Sequence, residues 1–203
     1  MAIKYKWAIE KVILLPFGAL TVFDEDINRP LKEEFLILIM GPLFQIVFVI
    51  IHSLFFYNRD LIDYSNLILI FNLMPIYPLD GSKLLNILLN KIISFKKSHL
   101  ITIYVSFLTI LFILKVRFNL ILLLIISFVF IKVIKEFLMH KNLFNRFLLE
   151  RFTKDFYFKK GKTIKNMDLR KMKRDYRHTF YNGKRYVTEK EILEKRFDFK
   201  GKL

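Results

Sequence analysis

Asn72-Leu73-Met74-Pro75-Ile76-Tyr77-Pro78-Leu79-Asp80-Gly81 is the stretch on which the reading of this chain turns. It follows an uncharged run from Tyr64 and leads into Leu84-Leu85-Asn86-Ile87-Leu88-Leu89, so a carboxylate stands in the middle of an apolar segment. An ionisable side chain at membrane depth costs a few kcal/mol on insertion scales and marks function by default. The two prolines remove backbone donors, and Gly81 is read as permitting a turn. A helix broken within a membrane needs protein or a water-filled cavity to receive the freed carbonyls, so Asp80 is expected to face a cavity. A second reading is open at this point: Asp80 and Lys83 stand at i, i+3, the spacing of a simple helical ion pair near the interface.

Outward from that stretch, the composition agrees with a membrane. The 203 residues are 54% hydrophobic with 23 Phe, and mean hydropathy is +0.36. Charge is segregated: residues 1–131 hold 12 Lys and Arg against 9 Asp and Glu, whereas 132–203 hold 22 against 9. The absence of cysteine excludes disulfides, iron–sulfur clusters and thiolate zinc sites, so any metal must use His and carboxylate. Crossing the hydrocarbon takes ~20 apolar residues. Phe35–Asn58, the interrupted stretch 64–89 and Ser98–Leu114 are the first three candidates, and Phe118–Ile131 is a fourth that is short unless Lys132 and Lys135 snorkel from its end. The fold expected is thus a polytopic α-helical membrane protein of about four spans.

Four spans put both ends on one side. Lys4, Lys6, Lys11, Arg29, Lys32, Lys91, Lys96, Lys97 and the basic end share that side, against Arg59, Lys115 and Arg117 on the other. The positive-inside rule makes it cytoplasmic. Residues 1–34 form a first region, where Val12–Leu20 around Pro16 and Gly18 reads as short strands or a hairpin at the membrane edge. Residues 35–135 are the transmembrane core and 136–203 a basic cytoplasmic tail. No signal peptide is recognisable.

In the tail, basic and aromatic residues interleave, as in Phe152–Lys160, and the cluster begins at the membrane exit. That favours anionic lipid or a protein partner over nucleic acid, for which no binding motif is present. Tyr181-Asn182-Gly183-Lys184 predicts a tight hairpin, and Thr188-Glu189-Lys190-Glu191 a capping box opening a helix through Arg196. His52, in the first span, reads as a hydrogen-bonded or snorkelled histidine; His99, His140 and His178 read as solvated. The acidic run Asp24-Glu25-Asp26 lacks the spacing of a calcium loop. Gly41-Pro42 predicts a kink in the first span, read first as structural and second as a position close to the cavity expected at Asp80.

Residues 72–85 resemble the Asn-Pro-x-x-Pro-Leu-Asp-Gly type motif of the site-2 proteases, intramembrane zinc metalloproteases. Leu14–Gly18, Asn28–Phe35, Gly41-Pro42 and Arg146–Arg151 resemble the sporulation stage IV branch of that family, so the likeness covers residues 1 to about 152. It implies an endopeptidase acting on a membrane-associated protein substrate, with inhibitory or regulatory membrane partners. It implies Asp80 as a zinc ligand, Asn72 lining the active site, and Pro75, Pro78 and Gly81 shaping the break that presents the ligand. The family's other ligands, a His-Glu-x-x-His pair, are absent, and no two histidines here stand at i, i+4. The expectation is a chain that starts downstream of that motif and is inactive alone, binding Zn2+ only in the complete protein. The alternatives are a non-catalytic membrane scaffold derived from the protease, or a small transporter with Asp80 as proton site.

Overall fold

The computed structural model describes residues 1–2, 4–15, 18–23, 25–55, 58–116 and 120–197. Strands β1 (Ile9–Leu15) and β2 (Gly18–Phe23) pair antiparallel, as the N-terminal pattern predicts, with Leu15 opposite Gly18. Pro16 and Phe17, at the tip of that expected hairpin, lie outside the described residues.

Five helices come next: α1 (Leu31–Phe55), α2 (Arg59–Leu73), α3 (Asp80–Ile92), α4 (Phe95–Val116) and α5 (Leu120–Thr153). α1 opens after Pro30 with Glu33 and Glu34 in its first turn, a placement that suits the positive end of the helix dipole. It runs on through Gly41 and the buried Pro42. The Asn58 side chain caps α2 by accepting from Leu61 N–H at 3.3 Å.

Of the four expected spans, α1 and α4 are each long and apolar enough to cross a membrane. α2 has 15 residues, about 22 Å, and falls short by itself. The fourth expected span began at Phe118, which lies outside the described residues; its helix continues to Thr153, so the boundary drawn at residue 135 falls inside α5. Only 6% of the apolar stretch of α1 is buried. Phe44, Leu54 and Phe55 on α1, and Leu120, Leu124 and Leu138 on α5, point outward. Apolar surface of this extent, carried on these helices, fits a membrane protein.

α1 packs against α2 and α3, α3 against α4, and α4 against α5. The segment between α2 and α3 is itself core: Ile76 and Leu79 are buried against Ile103 and Ile110 of α4 and Val129 and Val133 of α5. Beyond α5, β3 (Lys160–Lys165), a 3-10 turn (Leu169–Lys171), β4 (Tyr176–Tyr181), β5 (Tyr186–Thr188) and α6 (Glu189–Phe197) form a small sheet and helix. β3 pairs parallel with β4, and β4 antiparallel with β5. Phe147 and Leu148 of α5 share a core with Ile164, Met172, Phe180 and Leu193. Both local signals in this region are realised. Gly183 takes φ +77° in the β4–β5 turn, and Thr188 and Glu191 exchange the capping-box bonds, at 3.3 and 3.4 Å.

Candidate functional site

The break from Met74 to Leu79 is sealed by protein. The Tyr77 N–H, which the helix no longer satisfies, donates to Ser106 Oγ of α4 at 3.0 Å. The Ser106 hydroxyl lies 3.2 Å from Pro75 O and 2.9 Å from Thr102 O, so its proton serves the broken end or its own helix. Within the break, Leu79 N–H closes a turn onto Ile76 O at 2.8 Å, and the Tyr77–Pro78 peptide is cis. The freed backbone groups are thus received as a membrane interior demands.

Ser106 belongs to a polar seam. Ser98, Thr102 and Ser106 on α4 recur every four residues, and so do Ser82, Asn86 and Asn90 on α3. Asn86 Nδ2 donates to Thr102 Oγ1 at 3.3 Å, and Asn90 Nδ2 to Asn86 Oδ1 at 2.6 Å. Small and amide side chains at one-turn spacing let helices approach closely in lipid and bond across the gap. The four-residue spacing is visible in the sequence, but these uncharged positions carry no signal as strong as the charged ones.

Asp80 opens α3, its side chain about one-third exposed, with Lys83 Nζ 3.5 Å from Oδ1. The ion pair proposed from i, i+3 spacing therefore forms. Across from it is α1: a Cβ placed on Gly41 would stand 3.8 Å from Asp80 Oδ2, so the helix bearing Gly41-Pro42 is the wall that the carboxylate faces. Asn72 sits in the last turn of α2, half-buried. Pro75 and Pro78 lie within the break. Gly81 is helical, not a turn residue; a Cβ there would collide with Leu73 O and Met74 O, so glycine is required for contact between α3 and the end of α2.

A cavity lies beside the break, and Asp80 is not among the residues that line it. It measures about 400 Å³ and is lined by Pro78, Lys83, His99, Glu136 and Arg174, with Trp7 from the N-terminal segment. Ser82 also lines it, and Asp80 is set about half a turn around α3 from Ser82, toward α1.

Two of the histidines, His99 and His178, differ from expectation. His52 stacks on Phe48, ring centroids 5.9 Å apart. His99 is not solvated: it is one turn into α4, 3.2 Å from Glu136 Oε1 of α5. His140 Nδ1 bonds Phe137 O in its own helix at 2.6 Å. His178 on β4 is fully buried. Its Nε2 accepts from Lys173 N–H at 3.1 Å, which leaves Nδ1 to carry the proton toward Glu189 Oε2 at 3.3 Å. Burial, reinforced by the nearby Arg151 cation, pushes the His178 pKa below its ordinary value and outweighs the pull of Glu189. Burial alone would raise the Glu189 carboxyl, but hydrogen bonds from His178 and the Arg151 charge hold it below the usual range.

Arg151 is the centre of this region. It donates through Nε to Asn28 Oδ1 at 2.6 Å, through Nη1 to Tyr176 O and Glu189 Oε1 at 3.0 Å, and through Nη2 to Lys173 O at 2.9 Å. Asn28 Nδ2 in turn donates to Phe147 O and Glu150 Oε2. A second arginine, Arg174, pairs with Glu34 at 2.6 Å, and Asp175 caps α1 by accepting from Leu31 N–H at 3.2 Å. The Asn28–Phe35 and Arg146–Arg151 stretches are thereby explained: they lock the start of α1 to the end of α5 and the tail.

A catalytic zinc takes three protein ligands and an open position. Among the described residues no three His, Asp or Glu side chains converge on one point, and Asp80 has an ammonium beside it. The residues present supply one carboxylate and do not make up a zinc site.

No known family's sequence profile matches the chain. Two curated proteins do. Stage IV sporulation protein FB of Bacillus subtilis is 39% identical over 117 residues, 52% of this chain and 40% of that protein. A zinc metalloprotease of Methanocaldococcus jannaschii is 35% identical over 109 residues, 48% of this chain and 31% of that protein. The chain spans well under half the length of either relative. Together these relatives support a site-2 protease-like family for the chain.

Proposed function

We propose that the chain is the Asp-bearing part of an intramembrane metalloendopeptidase of the site-2 type, acting on a membrane-associated protein substrate. The observation that carries this is the sealed break: a helix interrupted in an apolar bundle, its free N–H and carbonyl met by Ser106, with a carboxylate at the first residue beyond it. An interrupted helix among apolar neighbours is costly unless it presents something, and the side chain presented here is that of Asp80. The names of both relatives support the same reading.

In this reading Asp80 is the residue assigned to zinc, Asn72 orients substrate backbone, and Pro75, Pro78 and Gly81 hold the break in shape. The remaining donors, a His-Glu-x-x-His pair, are not among these 203 residues. The topology proposed is four crossings: α1, α2 joined through the break to α3, α4, and the first half of α5. Both ends are then cytoplasmic by their charge, and inhibitory or regulatory membrane partners belong to the same proposal.

One observation favours a second reading. Lys83 stands 3.5 Å from Asp80 and serves as its counter-charge with no metal present, as a non-catalytic membrane scaffold requires. Zinc content separates the two. The chain is compared alone and joined to a membrane segment carrying His-Glu-x-x-His, each with an Asp80→Asn control. Stoichiometric zinc and substrate cleavage in the joined wild type alone supports the protease; zinc in neither form supports the scaffold and overturns the protease.

A further inference from the structure

His99 of α4 and Glu136 of α5 meet on the wall of the cavity beside the break, with His99 Nε2 3.2 Å from Glu136 Oε1. Both side chains are largely out of water, 12% and 18% exposed. A carboxylate so placed needs a counter-charge, because an unpaired ion is costly to desolvate. No lysine or arginine lies within ion-pair distance of it among the described residues. The other charges lining the cavity are paired elsewhere: Glu25 with Arg29, Asp26 with Lys154 and Glu34 with Arg174, each at 2.6 Å, and Lys83 with Asp80 at 3.5 Å. On the two helices themselves, Lys96 lies over the Phe144 ring and Lys132 over Phe128, Lys97 and Lys135 are exposed, and His140 bonds the Phe137 carbonyl. The Tyr77 phenol, from the break, lines the same cavity and is uncharged near neutral pH.

Charge, rather than a hydrogen bond, holds this pair. His99 Nε2 is shut off from solvent and makes no hydrogen bond, although Glu136 Oε1 is within ion-pair reach. A neutral imidazole therefore offers the carboxylate little, whereas an imidazolium offers a full unit of charge where the dielectric is low. Histidine is the side chain whose charge ordinarily changes between about pH 5 and 8. The tie between α4 and α5 at this level thus exists when His99 carries its proton. Without the proton, Glu136 is a bare carboxylate beside about 400 Å³ of cavity, and water or a cation has to enter to solvate it. Aromatic contacts between the same helices stand on either side of His99 along α4, Phe95–Phe147 at 4.4 Å and Phe107–Phe137 at 6.5 Å. They keep the helices joined while the wall between them responds.

We infer that His99 and Glu136 form a proton-operated latch in the cavity wall: with His99 protonated the wall is tied and entry to the cavity restricted, and with His99 neutral the wall loosens and entry is freer. His99 is one turn into α4, at the end of the bundle where Phe95 N–H donates to Met172 O of the tail, so the latch answers to the pH on that side. It does not rest on the protease reading, because Asp80 does not line this cavity. Acid acts on the tail in the opposite sense, by charging the buried His178, and Arg174 of the tail also lines the cavity. The sign of the pH response therefore separates the two.

The chain has no cysteine, so a single introduced one reports on the cavity. Ile37→Cys, on the α1 wall, is placed in the full chain in detergent, and its reaction with a small methanethiosulfonate reagent is followed from about pH 6 to about pH 8. The same cysteine in a Glu136→Gln chain corrects for ionisation of the thiol itself. Relative to that chain, the rate is expected to rise about fivefold or more across the range. His99→Gln is expected to react as fast at the acid end as at the alkaline end, and His178→Gln to keep the rise. Where Glu136→Gln loses its helical circular dichroism, the His99→Gln chain is the reference in its place. No rise relative to the reference, a fall with increasing pH, a rise that persists in His99→Gln, or one that disappears in His178→Gln would overturn the latch.

Discussion

The break before Asp80 and the Arg151 cluster bury polar groups by opposite means. At the break, one hydroxyl from a neighbouring helix meets an orphan N–H and an orphan carbonyl, and the buried side chains packed around it are Ile, Leu and Val. At the cluster, a guanidinium 1% exposed spends nearly all its donors on Asn28, Glu189 and two backbone carbonyls, with a second arginine alongside. The first arrangement uses as few polar atoms as a membrane interior tolerates; the second is dense and holds three separate segments together. A buried charge is tolerated only when every partner is in place, so the dense cluster is expected to be the more fragile of the two.

Arg151→Ala gives the largest expected effect, about 3–5 kcal/mol, because it takes the counter-charge from the largely buried Glu189 and the donor from Asn28 Oδ1. Hydrogen exchange is expected to rise in β4, α6 and the first turn of α1 together; a rise confined to β4 would mean that the cluster does not bind these segments as one unit. Gly81→Ala comes next. Its Cβ meets backbone, which cannot swing aside, for an expected cost of about 1–3 kcal/mol in thermal unfolding of detergent-solubilised protein. Gly41→Ala is its control, since 3.8 Å to Asp80 is an ordinary contact and alanine favours the helix. If both variants behave alike, close packing of α3 on α2 is not what requires the glycine.

Ser106→Ala sharpens the other side of the comparison. Hydrogen bonds between helices in lipid average about 0.6 kcal/mol, so a loss near 1 kcal/mol is expected, with faster exchange of the Tyr77 amide. A loss as large as that of Arg151→Ala would erase the distinction between the two regions. The smallest effect is acid-dependent. His178 holds its proton more weakly folded than unfolded, so below its ordinary pKa of 6.5 the unfolded chain takes up more protons and the tail loses stability as pH falls. Glu189, depressed from 4.5, adds a loss of the same sign at lower pH. His178→Gln is expected to flatten the profile between pH 7 and 5 while leaving the drop near pH 4; an unchanged profile would place the sensitivity elsewhere.

Much of the bundle was legible because apolar runs have to be covered or immersed whatever they pack against. The ends of α1 and α4 fell within a few residues of the uncharged stretches, whereas α5 ran far past Ile131; the Pro75 and Pro78 interruption was evident, and Asn182-Gly183 and Thr188–Glu191 announced a turn and a cap by local chemistry. His99 and His178 were misread as solvated because surroundings in a folded chain come from distant segments. His178 sits between Arg177 and Thr179 in a basic stretch, and nothing nearby in sequence says that β3, β5 and α6 enclose it. The sequence also leaves open which side of α3 borders the cavity beside the break, because that depends on how α1 and α4 pack.

Residue order alone dictates an apolar bundle with an interrupted helix, a carboxylate just beyond the break, an N-terminal strand pair and a strongly basic end, since periodicity, proline geometry and charge act locally. Only the folded chain turned Asp80 toward Gly41, set Ser106 on the freed backbone, and buried Arg151 and His178. Those arrangements join residues far apart in sequence, and their energies belong to contacts that do not exist until the helices and the tail have packed.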